Sequence, residues 1–318
     1  MQTKLLKFLI DPFTGEKLVL TPSLIENDEI ITGTLKSSTN TFNISNGIPR
    51  FVPDESYSTN FGWQWKKWSR VQFEDENLDK PMMNHTSNMF DSITLLENQS
   101  LDGLTVLDMG CGSGRFADIA LKKGATVIAL DYSTAVDVAQ QNITDKNLMI
   151  IQGDALKLPI KTNTVDYVYS IGVLHHTPSP LQGVSEAYRV LKSNGTFALS
   201  VYSKGSLYDF SGVHIWRRIF NFTWRFLKHY PPLWYSVFFG GLCHYIGKIN
   251  IWLTYPIRFI FPTMVLKDLK WSILDTFDSV TTSYQSAHDI PEVTKWFEDS
   301  KFRNIVVGNW GVNLIGKK

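Results

Sequence analysis

The chain predicts a doubly wound α/β sheet, and three observations carry that prediction. The stretch Val106–Arg115 reads Val-Leu-Asp-Met-Gly-Cys-Gly-Ser-Gly-Arg, an apolar run followed by glycines at alternate positions. Phe116, Ile119, Ala120 and Leu121 then recur at helical spacing, which gives strand, glycine turn, helix. Further apolar strand candidates follow in order: Val127–Leu130 ending at Asp131, Leu148–Ile151 running into Gly153-Asp154-Ala155, and Asp166–Ile171 leading into Gly172. Helical segments separate them, at Ala135–Gln141 with Ser133 as N-cap and at Leu181–Leu191 before a fifth strand, Thr196–Val201. Strands and helices alternating at this pitch argue for a parallel sheet, with a ligand at the C-terminal ends of its strands.

The glycine turn narrows the ligand. Dinucleotide sites space their glycines G-x-G-x-x-G and seat a pyrophosphate on the helix N-terminus. Here the spacing is G-x-G-x-G, with Asp108 two residues before the first glycine. An acid there would repel a pyrophosphate and suits a ligand with a cationic amino group. The stretch resembles the first motif of class I S-adenosylmethionine-dependent methyltransferases. Asp131 is similar to that family's ribose-binding acid, and Gly153-Asp154-Ala155 resembles the segment that holds the adenine amino group. The resemblance covers roughly residues 101–204. It implies S-adenosylmethionine as cofactor, a Rossmann-like seven-stranded sheet and an edge closed by an antiparallel hairpin. Its amino-acid end would lie on Asp108, Gly110, Cys111, Gly112 and Gly114. Its nucleoside would lie on Asp131, Tyr132, Asp154 and Ala155, with Ser170 and Ile171 beneath the sulfur. A nicotinamide dehydrogenase is disfavoured by the glycine spacing and by Asp154.

Composition bounds the remainder. The 318 residues suffice for one large domain and a smaller one. Basic and acidic residues number 31 and 30, which argues against a nucleic-acid footprint. Only two cysteines are present, Cys111 and Cys243, so neither a disulfide framework nor a cysteine metal site is expected. The N-terminal apolar run is too short for a signal peptide, and a cytoplasmic location is the expectation.

Five segments follow. Residues 1–53 read as a small β-rich module, with strand candidates at Ile30-Ile31 and Phe42–Ile44 and a turn at Asn46-Gly47. Its ends look like the zinc-ribbon module found before some methyltransferase domains. That resemblance would place paired cysteines near Asp11 and Thr14 and near Leu35–Ser38. None stands there, so the module reads as degenerate and no metal is expected. Residues 54–100 form a helical approach, with the aromatic cluster Phe61–Arg70 and an amphipathic helix over Asn84–Glu97. The cluster reads foremost as packing by tryptophans, and otherwise as a helix that brings Gln64 or Trp65 to the ligand. The core occupies 101–204. Residues 205–285 are an insertion, and 286–318 return to the core with a helix from Ile290 and strands at Phe302–Val307 and Val312–Ile315.

The insertion carries Trp216, Ile219, Phe220 and Trp224 at helical spacing, with Arg217, Arg218, Arg225 and Lys228 among them. Tyr230–Gly247 has no charged residue, but Pro231-Pro232 and Gly240-Gly241 are expected to interrupt it. Three readings stand: apolar helices of a lid, an interfacial segment resting on a membrane through 205–267, or a dimer contact.

Functionally, the chain reads as a methyltransferase acting on a small-molecule acceptor, with a hydrophobic acceptor consistent with the insertion. The alternative is a cofactor-binding partner subunit without turnover. An acceptor hydroxyl would need a base, and His175, His176 and His288 are the candidates. The first two follow the fourth strand directly, and the third lies between insertion and core.

Overall fold

The computed structural model describes residues 1–53 and 59–318; the start of the approach segment, 54–58, lies outside the described residues. Four strands open the chain: β1 (Val19–Glu26), β2 (Glu29–Lys36), β3 (Thr41–Ser45) and β4 (Ile48–Arg50). Helices α1 (Thr59–Lys67) and α2 (His85–Thr94) follow. The core then alternates β5 (Thr105–Met109), α3 (Arg115–Lys122), β6 (Thr126–Asp131), α4 (Ala135–Asn142), β7 (Leu148–Gln152), β8 (Val165–Ile171), α5 (Pro180–Val190) and β9 (Leu191–Val201). The insertion is helical: α6 (Ser211–Leu227), α7 (Tyr230–Tyr235), a π-helical segment Ser236–Gly240, α8 (Gly241–Ile249), α9 (Tyr255–Ile260) and α10 (Leu269–Thr281). Helix α11 (Ile290–Asp299) and strands β10 (Arg303–Val307) and β11 (Val312–Lys317) complete the chain.

All the strands form one sheet in the order β1-β2-β3-β4-β7-β6-β5-β8-β9-β11-β10. The stretch β7-β6-β5-β8-β9 is parallel, and β11 runs antiparallel between β9 and β10. This is the expected doubly wound sheet of seven strands with a hairpin edge. The chain winds from β5 out to β7 and then crosses to β8, so β5 and β8 are neighbours at the switch point. A parallel sheet is covered on both faces, which is why Val127, Ile128, Ala129 and Leu130 are all buried and read as an unbroken apolar run.

The β-rich N-terminal segment extends this sheet. Strand β4 meets β7 in parallel at one register pair, Arg50 with Gln152. Arg50 reinforces the join: its guanidinium lies 2.6 Å from Asp137 on α4 and 2.7 Å from Gln152 Oε1. Strand β1 had no sequence signal because it is an edge strand exposed along nearly its whole length, with Pro22 at a register slip.

The two loops in which a zinc ribbon would carry cysteines are tied by a carboxylate. Asp11 is buried and accepts hydrogen bonds from the Phe13 and Thr14 amides, Ser37 Oγ (2.6 Å) and Asn40 Nδ2 (2.9 Å). Burial pushes its carboxyl up, but these four bonds outweigh burial and hold it below the ordinary value.

Two local expectations change. The N-cap position of α4 falls one residue later, at Thr134, yet the Ser133 hydroxyl still accepts from the Ala135 amide at 3.2 Å while donating to Asp131 Oδ1. Residues 230–249 stay helical through the expected interruptions. Pro231 and Pro232 fall in the first turn of α7, where no amide donor is needed. Gly240 lets this helix approach α10: a Cβ there would lie 3.3 Å from Thr276 Oγ1. Among the described residues, no helix is long and apolar enough to cross a membrane.

Replacing Asp11 by Ala is expected to destabilise the N-terminal strands by about 2–4 kcal/mol, because three or more donors lose a buried partner. Since the folded carboxyl is depressed, its contribution is present above the unfolded value near ~4 and lost as pH falls through the folded value. Urea unfolding of both proteins at neutral and acid pH, followed by hydrogen exchange of β2 and β3, measures this.

Candidate active site

The site is built where β5 ends. Gly110, Gly112 and Gly114 all have positive φ, at 99°, 53° and 95°, so the turn needs residues that tolerate the left-handed region. The Gly110 and Cys111 amides both donate to the Leu130 carbonyl at the end of β6, at 2.7 and 2.9 Å. The Gly112 amide donates to Asp131 Oδ2 at 3.0 Å. Asp131 Oδ1 accepts from the Ser133 amide and hydroxyl, at 2.8 and 2.7 Å. Gly112 must be small for a further reason: an added Cβ would sit 2.9 Å from Trp65 Nε1.

A cavity of about 380 Å³ opens over this turn. Gly110, Cys111, Gly112, Asp131, Tyr132, Asp154, Ala155 and Ile171 all line it. Asp154 stands at the start of the β7–β8 connection, with Oδ1 accepting from the Leu156 amide at 2.8 Å. Burial raises the carboxyls of Asp131 and Asp154, and for Asp131 hydrogen bonds pull the other way. Burial pushes the Cys111 thiol well up, which keeps it protonated and fits the packing reading.

Three expected residues stand behind the wall. Gly114 begins α3 as its N-cap, and the Ser170 hydroxyl donates to the Met109 carbonyl at 2.9 Å, bracing β8 against β5. Asp108 lies under the turn, 2 % exposed, with Oδ2 lacking a hydrogen-bond partner among the described residues. Burial pushes its carboxyl up to about 8. Asp108 therefore stands beneath the turn rather than on the cavity wall.

The histidines separate. His176 lines the cavity, and its Nδ1 lies 3.0 Å from the Tyr284 carbonyl, which leaves Nε2 as the acceptor nitrogen. Burial lowers its pKa, so the ring is neutral near pH 7. His175 is fully buried: its Nδ1 accepts from the Tyr202 amide at 3.3 Å and its ring packs 3.7 Å from the Tyr202 ring. Burial also holds it well below the usual imidazole range. His288 is away from the cavity, with Nδ1 2.9 Å from Glu292 and Nε2 2.8 Å from Ser286 Oγ. Neither His175 nor His288 is placed to touch a ligand there.

The opposite wall was read in part from sequence: the second reading of the tryptophan-rich helix placed Gln64 or Trp65 there, while the α10 acids were missed. Phe61, Gln64 and Trp65 of α1 line the cavity, so the tryptophan-rich helix covers the turn as well as packing on it. From the insertion come Tyr208 and, on α10, Leu274, Asp275 and Asp278. Asp278 accepts from Gln64 Nε2 at 3.0 Å and from the Tyr202 hydroxyl at 3.2 Å. Asp275 makes no hydrogen bond among the described residues, and burial followed by the charge of Asp278 pushes its carboxyl up to about 7. Gln64 is 1 % exposed and its Oε1 lacks a partner among the described residues. One signal could have found this wall: between Phe210 and Leu274 the sequence has a single acid, Asp268, and two then follow three apart. Among the described residues, no three His, Cys, Asp or Glu side chains are grouped to hold a metal.

Comparison with known proteins now bears on this geometry. Residues 107–199 match the family model described as a methyltransferase domain. That segment is a methyltransferase domain. Over 116 residues the chain is 38 % identical to the sterol 24-C-methyltransferase of Schizosaccharomyces pombe, covering 34 % of this chain and 30 % of that protein. Over 131 residues it is 34 % identical to the malonyl-[acyl-carrier protein] O-methyltransferase of Pectobacterium atrosepticum, covering 40 % and 50 %. The chain thus spans no more than half the length of these curated relatives. A solved SAM-dependent methyltransferase from Aquifex aeolicus aligns over 80 % of this chain and 96 % of its own, with 17 % identity and a TM-score of 0.43. S-adenosylmethionine is the cofactor of such a domain.

The residues present fit that molecule. The methyltransferase domain offers a left-handed turn that ligand atoms can approach closely, carboxylates at Asp131 and Asp154, and an orphaned buried acid beneath the turn. Each suits a ligand that carries ribose hydroxyls, an amino group and positive charge.

Asp108→Asn separates stability from binding. The Asp108 carboxyl is raised in the folded state, so its favourable contribution is complete below the unfolded value near ~4 and lost as pH rises through about 8. The variant is expected to melt at a higher temperature than the parent at about pH 8. Its affinity for S-adenosylhomocysteine is expected to fall about tenfold, because a carboxyl that can become negative beneath the turn is replaced by a neutral amide. Scanning calorimetry and titration calorimetry on the same samples read both.

Proposed function

We propose that the chain transfers a methyl group to a small-molecule acceptor whose reactive end carries an N–H or O–H donor. The observation that supports this is the far wall: Gln64 Oε1 and Asp275, without hydrogen-bond partners among the described residues, stand beside Asp278 in the cavity. Buried acceptors of this kind favour a ligand that donates to them. An acceptor with an apolar remainder also fits, because Phe61, Leu274 and Trp271 complete that wall.

On this reading Asp131 holds the ribose hydroxyls and Asp154 the adenine, while the turn at Gly110–Gly112 seats the amino-acid end with Asp108 behind it. When bound, S-adenosylmethionine supplies a methyl group on a positively charged sulfur. The chain's remaining work is alignment and exclusion of water. Asp275 and Asp278, three apart on α10, take the acceptor's donor group and turn its reactive atom toward the glycine turn. Trp65 and Phe61 close the other side. The acceptor must release a proton once methylated, and His176 Nε2 is the neutral nitrogen on the cavity wall that receives it. Tyr284 fixes the tautomer through its carbonyl.

Labelled S-adenosylmethionine incubated with fractionated cell extract is expected to mark a small molecule at nitrogen or oxygen. His176→Ala should lower kcat about a hundredfold or more with cofactor affinity unchanged. Asp275→Asn should act mainly on the acceptor's KM. Cofactor binding with no transfer to any fraction would favour the partner-subunit reading instead.

A further inference from the structure

The helical insertion carries two apolar sides where one would serve for folding. On α6 the inward side includes Val213 and Phe220, 0 % and 4 % exposed. The outward side carries Ile215, Ile219, Phe222 and Phe226 at helical spacing, 57 %, 42 %, 67 % and 76 % exposed. The continuous helical run from α7 to α8 repeats this: Tyr235 and Cys243 face in, while Trp234, Phe238, Leu242 and Tyr245 face out. The segment after α8 and helix α9 add exposed Trp252, Leu253, Phe259 and Ile260. Single exposed apolar residues are ordinary, but three neighbouring helices with outward apolar stripes are not.

Charge narrows what covers them. From Phe210 to Lys267 there are seven Lys or Arg and no Asp or Glu. Arg218, Lys228 and Lys248 stand exposed among the apolar stripes. The chain as a whole is near neutral, at +1, so this segment concentrates a basic excess that the remainder balances. A second copy of the same face would set cation against cation, which opposes a symmetric dimer. Exposed Trp and Tyr beside Lys and Arg, on helices whose other side is packed on protein, match the chemistry of a lipid headgroup boundary.

We propose that helices α6–α9 rest on an anionic lipid bilayer, with Phe222, Phe226, Trp234, Phe238 and Trp252 in the acyl boundary and Arg218, Lys228 and Lys248 among the headgroups. This surface is separate from the cavity, so the inference stands whether or not the proposed acceptor chemistry is right.

Vesicle flotation of the full chain tests it, with phosphatidylcholine alone and with phosphatidylcholine mixed with phosphatidylglycerol. The chain should float with the mixed vesicles and much less with the neutral ones. Phe222→Ser combined with Trp234→Ser should lower partitioning about tenfold or more, as expected for two buried aromatic side chains. Arg218→Glu combined with Lys248→Glu should lower it about tenfold on anionic vesicles only. Val19→Ser, at an exposed position of β1, should leave it unchanged. Circular dichroism and S-adenosylhomocysteine affinity, equal to the parent's in every variant, show that the fold is kept. Absence of flotation overturns the proposal. So does flotation that the aromatic pair leaves untouched, and so does a stable dimer in light scattering that the same pair dissociates.

Discussion

The end of β6 holds the glycine turn in place, and the site depends on that clamp. Two successive amides share the Leu130 carbonyl and a third meets the carboxylate of the next residue, Asp131. One short stretch of strand therefore fixes both the path of the turn and the position of the acid beside it. The parallel pairing of β5 with β6, in register from Thr105–Thr126 to Met109–Leu130, is what brings the two ends level. Once they are level, the crossing to β8 leaves a crevice that no strand fills, and the helices above it decide what enters.

Those helices come from opposite ends of the sequence. Helix α1 approaches from before the core and α10 from the far end of the insertion, and they meet through the bond between Gln64 and Asp278. The cavity collects five carboxylic acids in or under its walls against one arginine, Arg115, an arrangement that costs stability when empty of positive charge. A cationic ligand offsets much of that cost.

Much of the core could be read from the sequence because parallel strands are buried on both faces and leave unbroken apolar runs. The alternating glycines and the acids at the ends of those runs located one wall of the cavity. The opposite end was hidden. Asp275 and Asp278 sit in a helix whose apolar residues do not stand out from an apolar insertion, and no local pattern shows that it folds back across the turn. Gln64 was noticed, but only tertiary contact decides whether a tryptophan-rich helix packs or covers. The adjacent histidines show the limit most plainly: His175 and His176 look equivalent in the chain, yet the backbone turns one ring into the protein and the other toward the cavity. Strand β1 was missed for the reverse reason, since an exposed edge strand has no buried face to impose alternation.

Arg50 bears on how the chain is divided. Its guanidinium grips Asp137 and Gln152, and the Gln152 amide donates to the Tyr132 carbonyl at 3.1 Å on the cavity rim. The first four strands are thus joined to the core not only by the pairing of β4 with β7 and a shared apolar core but by a side chain that also steadies the cavity rim. Cutting the gene at that border would free a carboxylate and an amide together, and the shortened product would have a looser cavity rim even where its sheet stayed whole.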